Sequence, residues 1–550
     1  MVLCVCLAGC NARPQPSAAI ASAHPLATEA GLRILAAGGN AFDAAVAVSA
    51  ALAVVEPYSS GLGGGGFWLL HRAGDGLEIM IDGRERAPLS ATRDMYLDAS
   101  GEVVPELSIT GALAAGIPGE PAALAHIAQH YGRLSLQQTL APAIRLAREG
   151  FEVDAHYARM ARFRLAALQE DFESARIFLQ DDEVPAPGHR LRQPELAATL
   201  EVIAEHGRAG FYAGGVARQL VDGVRAAGGI WTLEDLADYA VVERKPVSGQ
   251  YRGIRIVSAA PPSSGGVVLV GMLNILAGYP LETMDAATRT HVVIEAMRRA
   301  YRDRAQYLGD PDFVAMPLTR LLSVAHAAAL RATFDLERAT PSASLPGVTP
   351  GPGGQDTTHF SILDAEGNRV AATMSINYPF GACLTPPGTG VLLNDEMDDF
   401  SVKPGVPNVY GLVGAEANSI APGKRPLSSM SPTFIEMRNG TAILGTPGGS
   451  RIITMVLLAT LELAAGRLPE SWIGQPRYHH QYLPDVVQYE PGAFDTGLVS
   501  ALEARGHVLR RLDSTYGNMQ AVYRDSGSGR TQAVSDPRGG GMAAVRADDR

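Results

Sequence analysis

Residues 341–355 hold four prolines and four glycines in fifteen positions. Neither a helix nor a strand persists through such a run, so it reads as an exposed linker. Asp356 and Thr357 follow directly. From Thr357 the pattern alternates as far as Leu363, turns over 364–368, and returns from Arg369 to Ile376, which predicts a β-hairpin. A threonine hydroxyl inside a chain is a poor nucleophile. At a chain terminus its own α-amine, with a pKa of about 7.7–8.0, can take the hydroxyl proton near working pH. A breakable loop ahead of a strand supplies such a terminus. The same pattern also describes an ordinary loop leading into a strand, and spacing alone leaves both readings open.

Other chemistries fit less well. Gly61 to Gly66 satisfies G-x-G-x-x-G, but the predicted order is helix, glycines, strand, the reverse of a dinucleotide site. No P-loop, H-E-x-x-H or G-x-S-x-G sequence is present. His479 and His480 are adjacent, so on a helix they would point about 100° apart, and they read as structural. Of four cysteines, Cys4, Cys6 and Cys10 crowd the start and only Cys383 lies in the body. A disulfide framework and a thiolate metal site are excluded there, and Cys383 reads as a small buried thiol. Arg298, Arg299, Arg302 and Arg304 alternate with Glu295 and Asp303 and read as a solvated helix face.

The positioning elements are legible as periodicity. Residues 25–55 predict two helices joined at Gly38-Gly39-Asn40, the second nearly uncharged and so buried. Residues 67–71 predict a strand, 120–240 a helical region, 265–281 a buried helix, and 452–465 an apolar helix following Gly448-Gly449. Between 377 and 450 the chain is loop-rich and dense in small polar residues, as site loops on a scaffold are. Of 550 residues, 46% are apolar and 19% charged, so long disorder is excluded. The net charge of −11 argues against a nucleic-acid partner. The first nine residues are apolar, too few to span a bilayer. Leu7-Ala8-Gly9-Cys10 resembles a bacterial lipobox, although no basic residue precedes Arg13. Residues 1–17 are expected to be an export segment and linker, with a lipid anchor at Cys10.

A set of ordered motifs changes the weight of Thr357. Asp356-Thr357-Thr358-His359-Phe360-Ser361, Asn394-Asp395-Glu396-Met397-Asp398-Asp399-Phe400, the stretch Pro426 to Thr433 around Ser428-Ser429-Met430-Ser431, and Pro447-Gly448-Gly449-Ser450-Arg451 together resemble the γ-glutamyltranspeptidase family. Upstream, Gly38 to Ala45, Gly61 to Phe67, Pro261 to Gly266 and Tyr307 to Pro311 match in order, so the resemblance runs over roughly residues 18 to 540. It implies an α+β fold of the N-terminal-nucleophile hydrolase type, a four-layer αββα sandwich. It implies self-cleavage between Asp356 and Thr357 into a large subunit, 18–356, and a small catalytic subunit, 357–550, which stay paired.

The resemblance also implies roles. Thr357 is the nucleophile, supported by the hydroxyl of Ser375, and Gly448 and Gly449 present backbone N–H groups to the oxyanion. Arg84, Ser428 and Ser429 bind the substrate α-carboxylate; Asn377, Glu396 and Asp399 hold its α-ammonium. Tyr410, in a stretch that resembles the lid loop of lid-bearing bacterial members, gates the pocket. Ser375 departs from the family's usual threonine, and some bacterial members have Gln where Glu396 stands. The implied activity is that of an exported, periplasmic γ-glutamyltransferase and glutathione hydrolase with no cofactor or metal. Its partners are γ-glutamyl compounds with water, amino acids or dipeptides as acceptors. A cephalosporin or glutaryl acylase, and an inactive lipid-anchored binding protein, are the alternatives.

Overall fold

The computed structural model describes residues 17–345 and 357–547. Cys4, Cys6, Cys10, Asp356 and the linker from Pro346 onward lie outside them. The linker's first residues form a 3-10 turn, Ser342–Ser344, where the sequence predicts no helix. The turn is anchored by the Ser342 N–H, which donates to Asp485 Oδ2 at 2.7 Å.

Both principal sheets are antiparallel. The first is built from β1 (Ser17–Ser22), β2 (Gly65–Arg72), β3 (Leu77–Gly83) and β4 (Val242–Arg244), and the second begins with β5 (Val247–Tyr251) and β6 (Ile254–Ser258). The predicted hairpin forms as β7 (Thr358–Leu363) and β8 (Arg369–Ser375). Next come β9 (Thr433–Met437), β10 (Gly440–Gly445), β11 (Gln520–Asp525), β12 (Thr531–Ser535) and β13 (Met542–Ala547). The seven-stranded sheet runs β13-β1-β7-β8-β2-β3-β4 and the six-stranded sheet β12-β11-β10-β9-β6-β5. In the first, strands from before and after residue 356 interleave, and in the second four strands from after it pair with two from before it at one seam, β9 against β6. A break at that position leaves two chains hydrogen-bonded through common sheets.

Alternation along the strands makes the layers. Trp68, Leu70, Phe360, Ile362, Val370 and Ala372 face one core, shared with α1 (Pro25–Ala36) and α2 (Ala41–Val55). Phe67, Leu69, Leu363 and Ala371 face the other, shared with the second sheet. That sheet is covered in turn by α3 (Gly265–Leu276), α4 (Ala286–Tyr307) and α5 (Ile452–Ala464). The order of layers is therefore helix, sheet, sheet, helix, as expected. Every residue of α2 is buried, and Asn40 and Asp43 close its start with a reciprocal capping box.

One prediction fails here. Arg298, Arg299 and Arg304 are 2%, 1% and 4% exposed, so α4 does not offer a solvated arginine face. Its middle is sandwiched, and buried partners hold the charges. Glu295 meets Arg298 Nε at 3.1 Å and Arg299 Nη1 at 2.5 Å. Arg304 Nε donates to Ser264 Oγ at 2.9 Å. Cys383 is buried as expected, and its sulfur accepts from Arg164 Nε at 3.3 Å.

Candidate active site

The hairpin register places the two hydroxyls. Thr358 pairs with Met374, so Thr357 falls opposite Ser375, and their Oγ atoms lie 3.5 Å apart. Ser375 Oγ also accepts from the Asn377 N–H at 2.8 Å. Asn377, with φ of +75°, turns the chain off β8, a conformation asparagine adopts more readily than most residues. Its Nδ2 donates to Asp395 O at 3.0 Å, and its carbonyl accepts from Tyr410 OH at 2.5 Å.

The glycine run is explained by backbone contact. A Cβ on Gly63 would lie 2.0 Å from Leu392 O, and one on Gly64 2.2 Å from Ser375 O. Only glycine lets these three segments meet. Asn394 then fastens the junction: Nδ2 donates to Gly63 O at 2.6 Å and Gly116 O at 2.8 Å, and Oδ1 accepts from Glu396 N at 2.9 Å. The result presents a short 3-10 turn, Glu396–Asp399, toward Arg84 at the end of β3.

Arg84 is 1% exposed. Its Nη1 lies 2.6 Å from Glu396 Oε2, its Nη2 2.5 Å from Asp399 Oδ2, and its Nε donates to Pro426 O at 3.2 Å. The cation expected to take a carboxylate and the acids expected to take an ammonium are thus paired with each other. Burial opposes Arg84's charge, but Glu396, Asp399 and Glu85 hold its pKa above the ordinary value. Burial pushes the Glu396 carboxyl up to about 7 against the pull of Arg84, and Glu85 is raised mainly by burial.

Ser428 and Ser429 complete this wall. Ser428 Oγ accepts from Met430 N at 3.1 Å, and Ser429 Oγ from Arg304 Nη2 at 3.3 Å. Arg304 is a second buried cation of the site that sequence reading missed. Its only signal was a place on a charged helical stretch, which solvated helices share; burial lowers its pKa. Gly448 and Gly449, with φ of +139° and +54°, lead into α5. A Cβ on Gly449 would lie 2.5 Å from Tyr410 Cδ1.

Thr357 stands between two cavities. The inner one is lined by Arg84, Ser375, Asn377, Glu396, Asp399, Tyr410, Ser428, Ser429 and Gly449, and holds about 20 Å³ of free space. The outer cleft, about 360 Å³, is lined by Thr357, Glu56, Ser59, His156, Phe163, Tyr378 and Gly448 among others. All eleven residues named from sequence therefore converge, ten on the inner pocket and Gly448 on the outer cleft.

The loop that carries Tyr410 is fastened by the same acidic turn. Asp398 Oδ2 accepts from Val409 N at 2.8 Å, and Asp399 Oδ1 from Asn408 Nδ2 at 3.0 Å. Asn408 Oδ1 accepts from the N–H groups of Tyr410 and Leu412, each at 3.0 Å. Two groups elsewhere bring three potential metal ligands together, His291-Glu295-His507 and His71-Glu78-Glu436. In both, arginines already hold the carboxylates, which disfavours a cation. His479 and His480 are buried and structural, His479 Nδ1 lying 2.9 Å from Thr454 Oγ1.

This arrangement agrees with what the chain resembles. The γ-glutamyltranspeptidase family matches residues 27–546. A glutathione hydrolase proenzyme of Pseudomonas sp. (strain A14) is 46% identical over 497 residues, spanning 88% of this chain and 85% of that one. Another from Escherichia coli (strain K12) is 43% identical over 525 residues, spanning 94% and 90%. The crystal structure of a cephalosporin acylase from Bacillus halodurans superposes with a TM-score of 0.85 at 30% identity, covering 96% of each chain. A family match over nearly the whole chain and relatives at 46% and 43% identity across most of both chains leave one conclusion: this chain belongs to the γ-glutamyltranspeptidase family of N-terminal-nucleophile hydrolases.

Proposed function

We propose that the protein is an exported γ-glutamyltransferase and glutathione hydrolase. Cleavage between Asp356 and Thr357 matures it into a large subunit, 18–356, and a small subunit, 357–550. The observation that carries this reading is the position of Thr357 at the junction of two cavities, one rich in matched charges and one open.

The glutamyl end enters the inner pocket by exchange of ion pairs. Its α-carboxylate takes the Arg84 guanidinium, with Ser428 and Ser429 beside it, and its α-ammonium takes Glu396, Asp399 and Asn377. Thr357 Oγ then attacks the γ-carbonyl carbon while the Thr357 α-amine accepts the hydroxyl proton. N–H groups of Gly448 and Gly449 stabilise the oxyanion, helped by the start of α5. The α-amine returns the proton to the leaving amine, which departs through the outer cleft and leaves a γ-glutamyl ester on Thr357. Water or an acceptor amine enters by the same cleft and opens the ester, and Thr357 Oγ regains its proton. No step calls for a cofactor.

A second reading, an acylase for glutaryl or cephalosporin side chains, is favoured by the likeness to the Bacillus halodurans enzyme. A glutaryl group has no α-ammonium and would leave Glu396 and Asp399 unmatched, which the charge set argues against. A lipid anchor at Cys10 and a periplasmic location complete the proposal; a lipid-anchored protein without activity would have no need of the intact Thr357 site. Intact mass of wild type beside Thr357→Ala tests the core of it. Two wild-type chains, the smaller starting at Thr357, with one uncut mutant chain, are expected. Release of cysteinylglycine from glutathione follows. An uncut wild type, or hydrolysis of glutaryl-p-nitroanilide in preference to the γ-glutamyl compound, would overturn it.

A further inference from the structure

Glu56 is a buried acid of the outer cleft that the reaction above leaves unused. It ends α2, where its N–H donates to Leu52 O at 2.8 Å, and it is 5% exposed. Its Oε2 accepts from Thr358 Oγ1 at 2.7 Å, and its Oε1 from Tyr58 OH at 3.4 Å. The carboxyl is therefore tethered to the residue beside Thr357, and Glu56 and Thr357 line the same cleft. Other charged or titratable groups of the cleft are His156, Arg159, Tyr378, Tyr516 and Arg538, and Asp154 acts on the carboxyl from outside its lining. Burial raises the carboxyl to about 7, against the two hydroxyl bonds.

Within the uncut chain the Thr357 nitrogen is an uncharged amide. Cleavage turns it into an α-amine, and half of the catalytic cycle requires that amine to carry a proton in a largely enclosed place. We propose that Glu56 is the counter-charge of the Thr357 α-ammonium, a positioning residue that sets the pKa of the general base. This rests on the reading of Thr357 as the matured nucleophile. Glu56 forms and breaks no bond with substrate. The proton shuttles between Thr357 Oγ, the α-amine and the leaving amine, and an ionised Glu56 stabilises the amine while it holds that proton. A neighbouring opposite charge moves a pKa by roughly 1–3 units.

The test is the pH profile of kcat/KM for γ-glutamyl-p-nitroanilide with the mature two-chain protein. Removing the negative charge in Glu56→Gln lowers the pKa of the amine, so the acidic limb is expected to move down by about one pH unit. A role in packing alone would scale the profile at every pH without moving that limb, and a stationary limb overturns the proposal. Thr358→Val gives a second route if Glu56→Gln does not mature. Losing the 2.7 Å hydrogen bond favours protonated Glu56 and should move the limb the same way. A wild type that stays uncut or releases no nitroaniline would instead refute the nucleophile reading itself.

Discussion

Gly449→Ala puts the oxyanion geometry to a quantitative test. At φ of +54° a residue with a Cβ is strained by roughly 1–2 kcal/mol. The added carbon would also sit 2.5 Å from Tyr410 Cδ1 and 2.6 Å from Cε1, too close for real atoms. The ring cannot simply retreat, because Tyr410 OH is held by the Asn377 carbonyl at 2.5 Å. The backbone of residue 449 must move, and its N–H leaves the position assigned to it in the proposed mechanism, beside the developing oxyanion. Loss of one such donor costs about 10²–10³ in kcat, or roughly 3–4 kcal/mol. KM for γ-glutamyl-p-nitroanilide should change little, since in the proposed binding mode Arg84, Glu396 and Asp399 grip the other end of the substrate. Mature protein, verified by mass, is assayed at steady state. In a Tyr410→Ala background the clash is absent, so Gly449→Ala should there cost about tenfold less than in wild type. A Gly449→Ala enzyme within tenfold of wild-type kcat would refute the donor assignment. Equal losses in both backgrounds would refute the steric account.

Three further outcomes follow from the same geometry. Ser375→Thr restricts the hydroxyl that stands 3.5 Å from Thr357 Oγ1, and self-cleavage should be faster than in wild type by the time course of intact mass; equal rates would dismiss the rotamer argument. Asn408→Ala removes the Tyr410 loop's bond to Asp399 and two bonds within that loop; if the loop gates the pocket as proposed, the ratio of transfer to hydrolysis should shift severalfold, and an unchanged ratio would count against a gate. Burial holds His359, His479 and His507 down to about 3 and His480 to about 4. Below pH 6.5 the unfolded chain gains protons that the folded one refuses until pH 3–4, so stability falls across that window, by about 2 kcal/mol per histidine at pH 5. The melting temperature should drop steeply between pH 7 and 5, and a flat profile would contradict this.

The framework was legible because it follows from period and order. The buried α2, the hairpin after Thr357 and the apolar helix after Gly448-Gly449 are local patterns, and the structure has each one. What escaped was set by contacts distant in sequence. Charges three and four apart on α4 look alike whether water or protein surrounds them, and only the layer packed over residues 290–305 turns Arg298, Arg299 and Arg304 inward. Arg84 and Asp399 are 315 residues apart, and no spacing rule pairs them. The resemblance did supply both residues, as separate binders of opposite substrate charges. It did not supply their direct contact. Glu56 was passed over because a single acid at a helix end usually faces water, whereas here the cleft buries it against Thr358.

The direct contact of Arg84 with Glu396 and Asp399 bears on selectivity. A buried arginine left without an anion, or a buried carboxylate without a cation, costs about 3–5 kcal/mol. In the pocket, with about 20 Å³ free, Arg84 is the partner of both acids, Glu396 and Asp399. A γ-glutamyl group brings one charge of each sign and can replace both internal partners, so opening the pairs leaves nothing unmatched. A ligand with the carboxylate alone satisfies Arg84 but strands two acids. One with the ammonium alone strands the arginine. Discrimination then arises less from shape than from the rule that every buried charge must be answered. Asp399 joins that charge set to the Tyr410 loop, because one of its oxygens meets Arg84 and the other accepts from Asn408. In the proposed binding mode, exchange of the ion pairs and movement of the Tyr410 loop draw on the same carboxylate, so recognition of the glutamyl end and opening of the pocket would be coupled.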